Sequence, residues 1–364
     1  MTPVFHGCGC GVPPVTLADL AAHNRQPPEL DRAVRVIDLH AHVLCPEVEA
    51  IVADHPVWQR IVAAQPAAMG ERSATYNVGM IAALTPRMTE ASLRIADMQA
   101  MGIDLQVISP SPTQYHYWAD EPLSTRLVAL QNATILELCR ANTGHFLGLA
   151  AVSLQFPDLA ARQLEEAMRH PEIKGVEISA SAGDLALADP RMDILWAAAE
   201  RSQAVVFIHP LGTTLGTRVQ DHYLSNVIGQ PLETTIALSN LILSGLFDRR
   251  PGLKLLAAHG GGYLPAYAAR TDHAWFVRSE AHNCVQAPSS YLPRLWFDTL
   301  VYDPQSLRAL ADRVGIDRLV LGTDYPFDMG AYTPWTLTAD PIFNAYERAA
   351  MLGGNAANLL NLPM

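Results

Sequence analysis

Lysine is nearly absent from this chain of 364 residues: only Lys174 and Lys254 occur, and arginine supplies the rest of the 25 basic residues. The 36 acidic residues outnumber them and give a formal net charge of −11. A surface this acidic repels phosphate backbones, so we expect no nucleic-acid partner. Charged residues make up 17% of the chain and hydrophobic residues 49%, which excludes a disordered protein.

Long apolar runs and a cysteine framework are missing as well. No run approaches the ~18 residues that a membrane-spanning helix needs, and no basic residue precedes Arg25, where a secretory signal would carry one. We therefore expect a cytoplasmic protein with no membrane partner. The five cysteines are scattered and odd in number, which argues against a disulfide scaffold. His6, Cys8 and Cys10 lie close together, but no second pair follows at zinc-finger spacing.

Eight short β-branched or apolar segments alternate with segments of helical spacing. The predicted strands are 34–42, 105–110, 146–154, 173–179, 204–210, 253–260, 294–299 and 318–324. The predicted helices are 89–101, 124–142, 157–169, 190–201, 232–247, 304–314 and 341–351. This alternation indicates parallel strands joined by right-handed crossovers. Eight such units predict an α/β fold, a closed (β/α)8 TIM barrel; a doubly wound open sheet is the alternative.

The chain is longer than a minimal barrel, and two segments account for the excess. Residues 1–33 are rich in proline and glycine and are interpreted as an N-terminal arm. Residues 34–364 form the predicted barrel. Within it, residues 43–88 are too long for an ordinary loop between a strand and a helix, so we expect a small inserted cap after strand 1.

Polar residues concentrate where the predicted strands end, which is where such barrels carry their chemistry. Four strand ends supply these residues: His40, His42, His209, His259 and Asp324. Alternation along the first strand puts His40 and His42 on one face, together with Asp38. A single histidine at a strand end is more often structural than functional. The whole set, however, matches the nitrogen and oxygen ligands that Zn²⁺ and Mn²⁺ prefer.

Other catalytic motifs are not found in the sequence. His259 begins a His-Gly-Gly-Gly segment that could imitate the oxyanion loop of a lipase-like hydrolase, but no G-x-S-x-G nucleophile motif occurs. Neither a P-loop nor a G-x-G-x-x-G segment follows a predicted strand. We therefore expect a metal ion and no organic cofactor.

Four of these segments together resemble a known family. Asp38-x-His-x-His, His209-Pro, His259-Gly-Gly-Gly and Gly322-Thr-Asp-Tyr-Pro-Phe are similar to motifs of the amidohydrolase superfamily. The last two, with the stretch after His209, resemble its branch of metal-dependent decarboxylases, typified by 2-amino-3-carboxymuconate-6-semialdehyde decarboxylase. The resemblance runs from about Val36 to the C-terminus.

The resemblance implies a role for each matching residue. His40, His42, His209 and Asp324 would bind one divalent ion, and His259 would act with Asp324 in catalysis as the group that moves the proton. Asp38 and Asp298 are candidates for supporting the metal ligands without binding the ion. For Asp298 a purely structural role is the alternative.

The resemblance also implies a homodimer or higher homo-oligomer. In it Arg270, eleven positions after His259, would hold the substrate carboxylate of the neighbouring subunit. Tyr223 stands where the muconate enzymes carry a tryptophan, and an expected arginine before the first helix has no clear counterpart. Arg72 and Arg87 are the nearest candidates. These departures leave the substrate open between an aromatic acid and a muconate-type acid.

The two lysines bear on the reaction class. Many superfamily hydrolases bridge two metal ions through a carbamylated lysine at the end of strand four, but Lys174 and Lys254 stand at the beginnings of their predicted strands. We therefore expect one ion per subunit, Zn²⁺ first and Mn²⁺ second, and a non-oxidative decarboxylase (carbon–carbon lyase) of aromatic catabolism. A mononuclear hydrolase or hydratase is the alternative, and a non-catalytic binding protein is a third.

Overall fold

Eight parallel strands form the centre of the molecule. The computed structural model describes residues 34–362. The strands are β1 (Ile37–Val43), β2 (Leu105–Pro110), β3 (Phe146–Ala150), β4 (Ile173–Ile178), β5 (Val205–Ile208), β6 (Lys254–Ala257), β7 (Trp296–Asp298) and β8 (Leu319–Val320). They pair in chain order. Hydrogen bonds from Leu39 N to Leu321 O (2.9 Å) and from His42 N to Tyr325 O (2.8 Å) join β1 to the segment after β8. The predicted TIM barrel is confirmed.

Helices surround the strands. They are α1 (Pro46–Val52), α2 (Pro56–Met69), α3 (Glu71–Thr89), α4 (Ala91–Met101), α5 (Glu121–Ala141), α6 (Pro157–Ala167), α7 (Asp193–Arg201), α8 (Gln230–Leu243), α9 (Leu246–Arg249), α10 (Leu264–Val277), α11 (Pro304–Val314), α12 (Pro334–Thr338), α13 (Ala345–Ala349) and α14 (Asn355–Leu359). Two π-helical turns, Ser225–Gly229 and Ala350–Gly354, lead into α8 and α14.

Several predicted helix boundaries were wrong. The predicted helix 232–247 is broken at Gly245, whose φ of 70° ends α8 and starts the short α9. Helix α10 was not predicted because it has no continuous apolar stripe: its buried residues are Leu264, Pro265 and Ala268. The helix predicted to begin at Thr89 begins at Ala91, because Thr89 is the last residue of α3.

The segment predicted as an inserted cap forms three helices, α1 to α3. The segment returns to its starting point, because Leu44 N donates to Met88 O (3.2 Å). On the far side, the Gln220 side chain donates to the carbonyl of Ala67. The insertion therefore packs against the loop that follows β5, on the side of the barrel where the strands end. Its role as a cap stays a prediction. The predicted arm 1–33, with His6, Cys8 and Cys10, lies outside the described residues.

The two faces of the sheet pack differently. Alternate residues of the strands, such as Val206 and Ile208, join one large cluster with the surrounding helices. The other set, including Val205 and Phe207, packs in a second cluster with Leu359 of α14. Because alternate residues of a strand share a face, the second cluster fills the barrel interior. Lys254 Nζ donates to Leu359 O (3.1 Å), so this lysine lies at the end of the barrel where the strands begin.

Candidate metal centre

Four predicted ligands meet at the mouth of the barrel. His40 and His42 come from β1, His209 follows β5 directly, and Asp324 follows β8. One ligand atom from each lies within 4.8 Å of the others. His40 Nε2 and His42 Nε2 are 3.1 Å apart, and each lies 3.3 Å from Asp324 Oδ1. The structure therefore holds a metal site of three imidazoles and one carboxylate.

The hydrogen bonding of these side chains fits a bound ion. Both ring nitrogens of His209 and Oδ1 of Asp324 are buried without a hydrogen-bond partner among the described residues. Buried polar atoms are nearly always paired, so such orphaned atoms require an explanation. Three imidazole nitrogens and one carboxylate oxygen form a ligand set typical of a divalent transition metal. A metal ion at this point would satisfy Asp324 Oδ1 and one ring nitrogen of His209.

Two ligand rings are held in the tautomer that metal binding needs. His40 Nδ1 donates to Asp298 Oδ2 (2.8 Å), and His42 Nδ1 lies 3.3 Å from the carbonyl oxygen of Pro110. Because both partners are acceptors, the proton stays on Nδ1 in each ring. The lone pairs of both Nε2 atoms are then directed to the centre.

Asp298 connects two parts of the site. Besides the ring of His40, its carboxylate accepts the backbone N–H of His259 (2.9 Å) and of Gly260 (2.8 Å). Gly322 allows this approach, because a Cβ there would lie 2.8 Å from Asp298 Cβ and 2.9 Å from His40 Cβ. Burial would raise the pKa of Asp298, but the hydrogen bond and charge of His40, together with His259 and the Gly260 N–H, outweigh it and lower that pKa. The carboxylate is therefore ionised where it supports the ligand.

The carboxylates of Asp324 and Asp298 favour a positive charge among the three histidines. Burial would lower the pKa of His40, but Asp324 and Asp298 outweigh it and raise that pKa to about 10, so a bound cation would take the place of the second proton on Nε2. His209 differs, because burial and repulsion from the other histidines hold its pKa well below the usual value. Burial would raise the pKa of Asp324, yet His40, His259 and His42 together keep it well below its ordinary range.

His259 lies beside the four ligands but outside their group. Its ring centroid is 5.1 Å from that of His209, and its Nε2 is 3.7 Å from Asp324 Oδ2. Its Nδ1 is buried without a hydrogen-bond partner among residues 34–362. The side chain is 16% exposed, whereas those of His40 and His42 are fully buried. His259 is thus placed to exchange a proton with a molecule at the centre, and its catalytic role stays a prediction.

The backbone is strained around the site. His259, Asp324 and Tyr223 have φ values of 54°, 58° and 62°, in the left-handed region that side chains rarely adopt. The turn after His259 has no room for a side chain at Gly262, because a Cβ there would lie 2.2 Å from Pro231 O. Strain of this kind persists where the surrounding structure imposes it, most often at functional sites.

A carboxylate that was not predicted as functional lies at the end of β4. Glu177 Oε1 accepts a hydrogen bond from the Tyr115 hydroxyl (2.6 Å), and its Oε2 is 3.5 Å from His42 Nδ1. Burial raises the pKa of Glu177. This is the position where a bridging lysine would stand in a two-metal site. Lys174 lies near the start of the same strand.

Asp38 supports the site from another direction. It accepts hydrogen bonds from Thr323 Oγ1 (2.6 Å), from Gln106 Nε2 (2.8 Å) and from the backbone N–H of His40 (3.1 Å). Gln106 Oε1 accepts in turn from Arg94 Nη1 (2.7 Å), and Arg94 Nη2 donates to the carbonyl of His42. Burial lowers the pKa of Arg94 to about 10. Arg94 was missed in the sequence, although it lies at helical spacing from the buried Met98 and Met101.

The predicted substrate-binding residues are not gathered around the ion. Burial raises the pKa of the Tyr223 phenol, and the nearby carboxylates of Asp328 and Asp324 add to this effect. Arg270 is exposed on α10 and forms no hydrogen bond or ion pair with the described part of the chain. Of the two alternative arginines, Arg87 is paired with Asp97 (2.8 Å) and Arg72 is exposed on α3.

A cavity of about 350 Å³ lies at the same end of the barrel as the metal centre. Its wall comes from the insertion, from the segments after β2, β4 and β5, and from α8, and includes Trp58, Ile61, Thr113, Tyr115, His116, Tyr117, Trp118, Ser179, Ala180, Ser181, Gly183, Leu211, Thr213, Thr214 and Glu233. Within residues 34–362, no helix combines the length and apolar character needed to cross a membrane.

Comparisons with known proteins agree with this geometry. Residues 37–362 match the family described as Amidohydrolase. The 2-amino-3-carboxymuconate-6-semialdehyde decarboxylase of Dictyostelium discoideum is 30% identical over 276 residues, which cover 75% of this chain and 77% of that protein. The crystal structure of 5-carboxyvanillate decarboxylase from Sphingomonas paucimobilis superposes with a TM-score of 0.77 at 25% identity, over 91% of this chain and all (100%) of the other.

A second solved structure has the same fold. The 5-carboxyvanillate decarboxylase of Novosphingobium aromaticivorans, crystallised with manganese and 4-hydroxy-3-methoxy-5-nitrobenzoic acid, superposes with a TM-score of 0.81 at 20% identity, over 93% of this chain and 99% of the other. The chain belongs to the amidohydrolase family, and the resemblance found in its four motifs is confirmed.

Proposed function

We propose that this protein is a metal-dependent, non-oxidative decarboxylase of an aromatic or muconate-type carboxylic acid. The observation that carries the proposal is the centre of His40, His42, His209 and Asp324, with His259 beside it and Glu177 at the end of β4. A centre of this composition holds one ion. The similar proteins named above are decarboxylases of both substrate types.

The ion we propose is one Zn²⁺ per subunit, with Mn²⁺ as the alternative. Three neutral imidazoles and the Asp324 carboxylate leave a divalent ion with a net charge of about +1. When bound, such an ion polarises a substrate oxygen or acidifies a water molecule. The three-histidine ligand set favours Zn²⁺, and the N. aromaticivorans enzyme was crystallised with manganese.

In the proposed reaction the bond between the carbon skeleton and the carboxylate breaks. Its electron pair stays on the carbon of the remaining skeleton, which takes a proton, and the carboxylate leaves as CO₂. His259 is the group placed to move that proton, because its ring lies beside Asp324 and remains partly open to the mouth. Asp298 binds both the ring of His40 and the backbone of His259, so it fixes the positions of these two groups relative to each other.

The substrate carboxylate needs a cation, and we propose that Arg270 of a second subunit supplies it. Arginine forms a bidentate pair with a carboxylate. Arg270 lies on the exposed face of α10, where Tyr267 (65%), Phe276 (72%) and Val277 (60%) also expose apolar surface. An exposed apolar face of this kind is typical of a protein–protein contact. A homodimer formed through α10 would bring Arg270 to the partner's site, and Tyr223 is the second residue that we propose to contact the substrate.

Metal analysis followed by CO₂ measurement tests the proposal. Purified protein should contain about one equivalent of zinc or manganese per chain, and its loss to a chelator should abolish turnover. The loaded protein should release CO₂ from at least one acid in a panel of ortho-hydroxybenzoates, ortho-aminobenzoates and muconate-type acids. Turnover without CO₂, seen as hydrolysis or water addition, would identify the mononuclear hydrolase or hydratase instead.

A further inference from the structure

The cavity at the mouth of the barrel has no part in the chemistry described so far. Its volume of about 350 Å³ falls within the range of small-molecule sites. It lies between α2 of the insertion and the segments that follow β2, β4 and β5, which all end at the mouth of the barrel. A molecule in it would therefore lie at the same end of the barrel as the metal ligands.

Tyr115 is the shared wall between the cavity and the centre. It lines the cavity, and its hydroxyl donates to Glu177 Oε1 (2.6 Å). The other oxygen of Glu177 lies 3.5 Å from His42 Nδ1. Leu211, on another part of the lining, is two residues after His209. Tyr115 and Glu177 thus connect the lining of the cavity to the ligand His42.

The lining favours an uncharged aromatic group. Tyr115 and Tyr117 are stacked with their centroids 5.3 Å apart, and Trp58 and Trp118 are stacked at 6.4 Å. Rings of this kind contribute large apolar area to a ligand site. Among the lining residues there is no lysine or arginine. A second carboxylate placed here would be desolvated without a counter-charge, which costs free energy.

His116 adds one directional group to this lining. The residue is 5% exposed and has a φ of 45°. Its Nδ1 accepts a hydrogen bond from Trp118 Nε1 (3.3 Å), so the proton of the neutral ring is on Nε2. Burial lowers the pKa of His116 to about 4, and the ring is neutral at pH 7. This Nε2 is buried and has no hydrogen-bond partner among the described residues.

We propose that the cavity binds an uncharged aromatic end of the substrate, and that His116 Nε2–H donates a hydrogen bond to an oxygen on that end. This rests on the proposed function, because the other end of the molecule is the carboxylate that is lost. It favours a monocarboxylic aromatic acid that extends beyond a single ring over a dicarboxylic muconate.

Binding of neutral probes to the metal-loaded full-length protein tests the cavity separately from the reaction. In equilibrium dialysis, 2-methoxynaphthalene should bind about three- to tenfold more tightly than 2-methylnaphthalene, because only the first accepts a hydrogen bond. His116→Asn should remove that difference, and asparagine tolerates the left-handed backbone. Absence of 2-methoxynaphthalene binding, or an unchanged difference in His116→Asn, would overturn the proposal.

A blocking variant with a matched control locates the probe. Ile61 lines the cavity and is 36% exposed, so Ile61→Trp should weaken binding of both probes about tenfold or more. Val62 is the next residue of α2, is 42% exposed and does not line the cavity. Val62→Trp should therefore change either affinity by about twofold or less. Equal binding by wild type and Ile61→Trp would place the probe elsewhere and contradict the proposal.

A bifunctional acid connects the cavity to the ion. 6-Methoxy-2-naphthoate should displace 2-methoxynaphthalene and bind more tightly than it. Removal of the ion should abolish this advantage and leave the affinity for 2-methoxynaphthalene unchanged. If the acid fails to compete, the cavity is not part of the substrate site. If it competes but no acid in the panel releases CO₂, the cavity proposal stands and the decarboxylase proposal fails.

Discussion

His40 donates a hydrogen bond from Nδ1 to Asp298 Oδ2 across 2.8 Å, inside the barrel and out of contact with water. The same carboxylate accepts the backbone N–H of His259. One side chain thus controls the orientation of a predicted metal ligand and the position of the predicted proton-transfer group. We expect loss of the Asp298 carboxylate to lower the metal affinity while the fold is retained.

Asp298→Asn should weaken metal binding about 10- to 100-fold, because an amide supports the Nδ1–H of His40 less well than a carboxylate does. The affinity is measured by competition with a chelating dye. Asp312→Asn is the control, since Asp312 is an exposed carboxylate paired with Arg308 on α11. Equal metal affinities of wild type and Asp298→Asn would show that the hydrogen bond does not support the ligand.

His259→Asn should retain the metal and lose turnover, whereas Asp324→Ala should lose both. The reason is that His259 lies outside the group of four ligands, while Asp324 belongs to it. Removal of a general acid or base typically lowers the rate about 10²- to 10⁴-fold. Metal content by elemental analysis and CO₂ release check the pair. Full metal occupancy in Asp324→Ala would refute its assignment as a ligand.

Arg270→Ala and His259→Asn should complement each other in heterodimers. Each homodimer would be inactive, but a mixed dimer would contain one site with both His259 and the partner's intact Arg270. Co-expression with two different affinity tags gives the mixed species, whose activity should reach about half that of wild type. Confirmed heterodimers with no activity would mean that Arg270 does not act across the interface.

Arg94→Met should destabilise the protein by about 3 kcal/mol. The guanidinium is buried, and its loss leaves Gln106 Oε1 and the carbonyl of His42 without donors. Urea denaturation of the metal-free protein measures the change in the free energy of unfolding. Arg126→Met, on the exposed face of α5, should change it by less than about 0.5 kcal/mol. Similar effects of the two substitutions would argue against a supporting role of Arg94.

The buried imidazole of His116 should make the protein sensitive to acid. An unfolded chain protonates this residue near pH 6.5, whereas burial lowers the folded pKa to about 4. Between these values the unfolded state binds more protons than the folded state. The free energy of unfolding therefore decreases as the pH is lowered, by up to about 3 kcal/mol. His116→Asn should lose this part of the pH dependence and leave the remainder. Parallel pH profiles of wild type and variant would contradict the shift.

The alternation of strands and helices was sufficient to predict the barrel, because each βαβ unit is encoded locally by residues near one another in the chain. Helix boundaries were predicted less well. Gly245 ends α8 through its left-handed backbone, and α10 lacks the apolar stripe that indicates a helix, since much of it is exposed. Arg94 was missed because a charged residue at a buried helical position is recognisable only when its partners, Gln106 and the carbonyl of His42, are in place.

The chain by itself determined which groups can bind the ion: histidines and an aspartate stand at strand ends, and both lysines stand at strand beginnings. Parallel strands bring those ends to one rim wherever a barrel closes. Only the tertiary structure decided which ring nitrogens face the ion, because His40 and Asp298 are 258 residues apart in the sequence. The tertiary structure also determined the cavity that α2 and the segments after β2, β4 and β5 enclose. Its shape depends on packing between distant segments, which no local pattern of residues records.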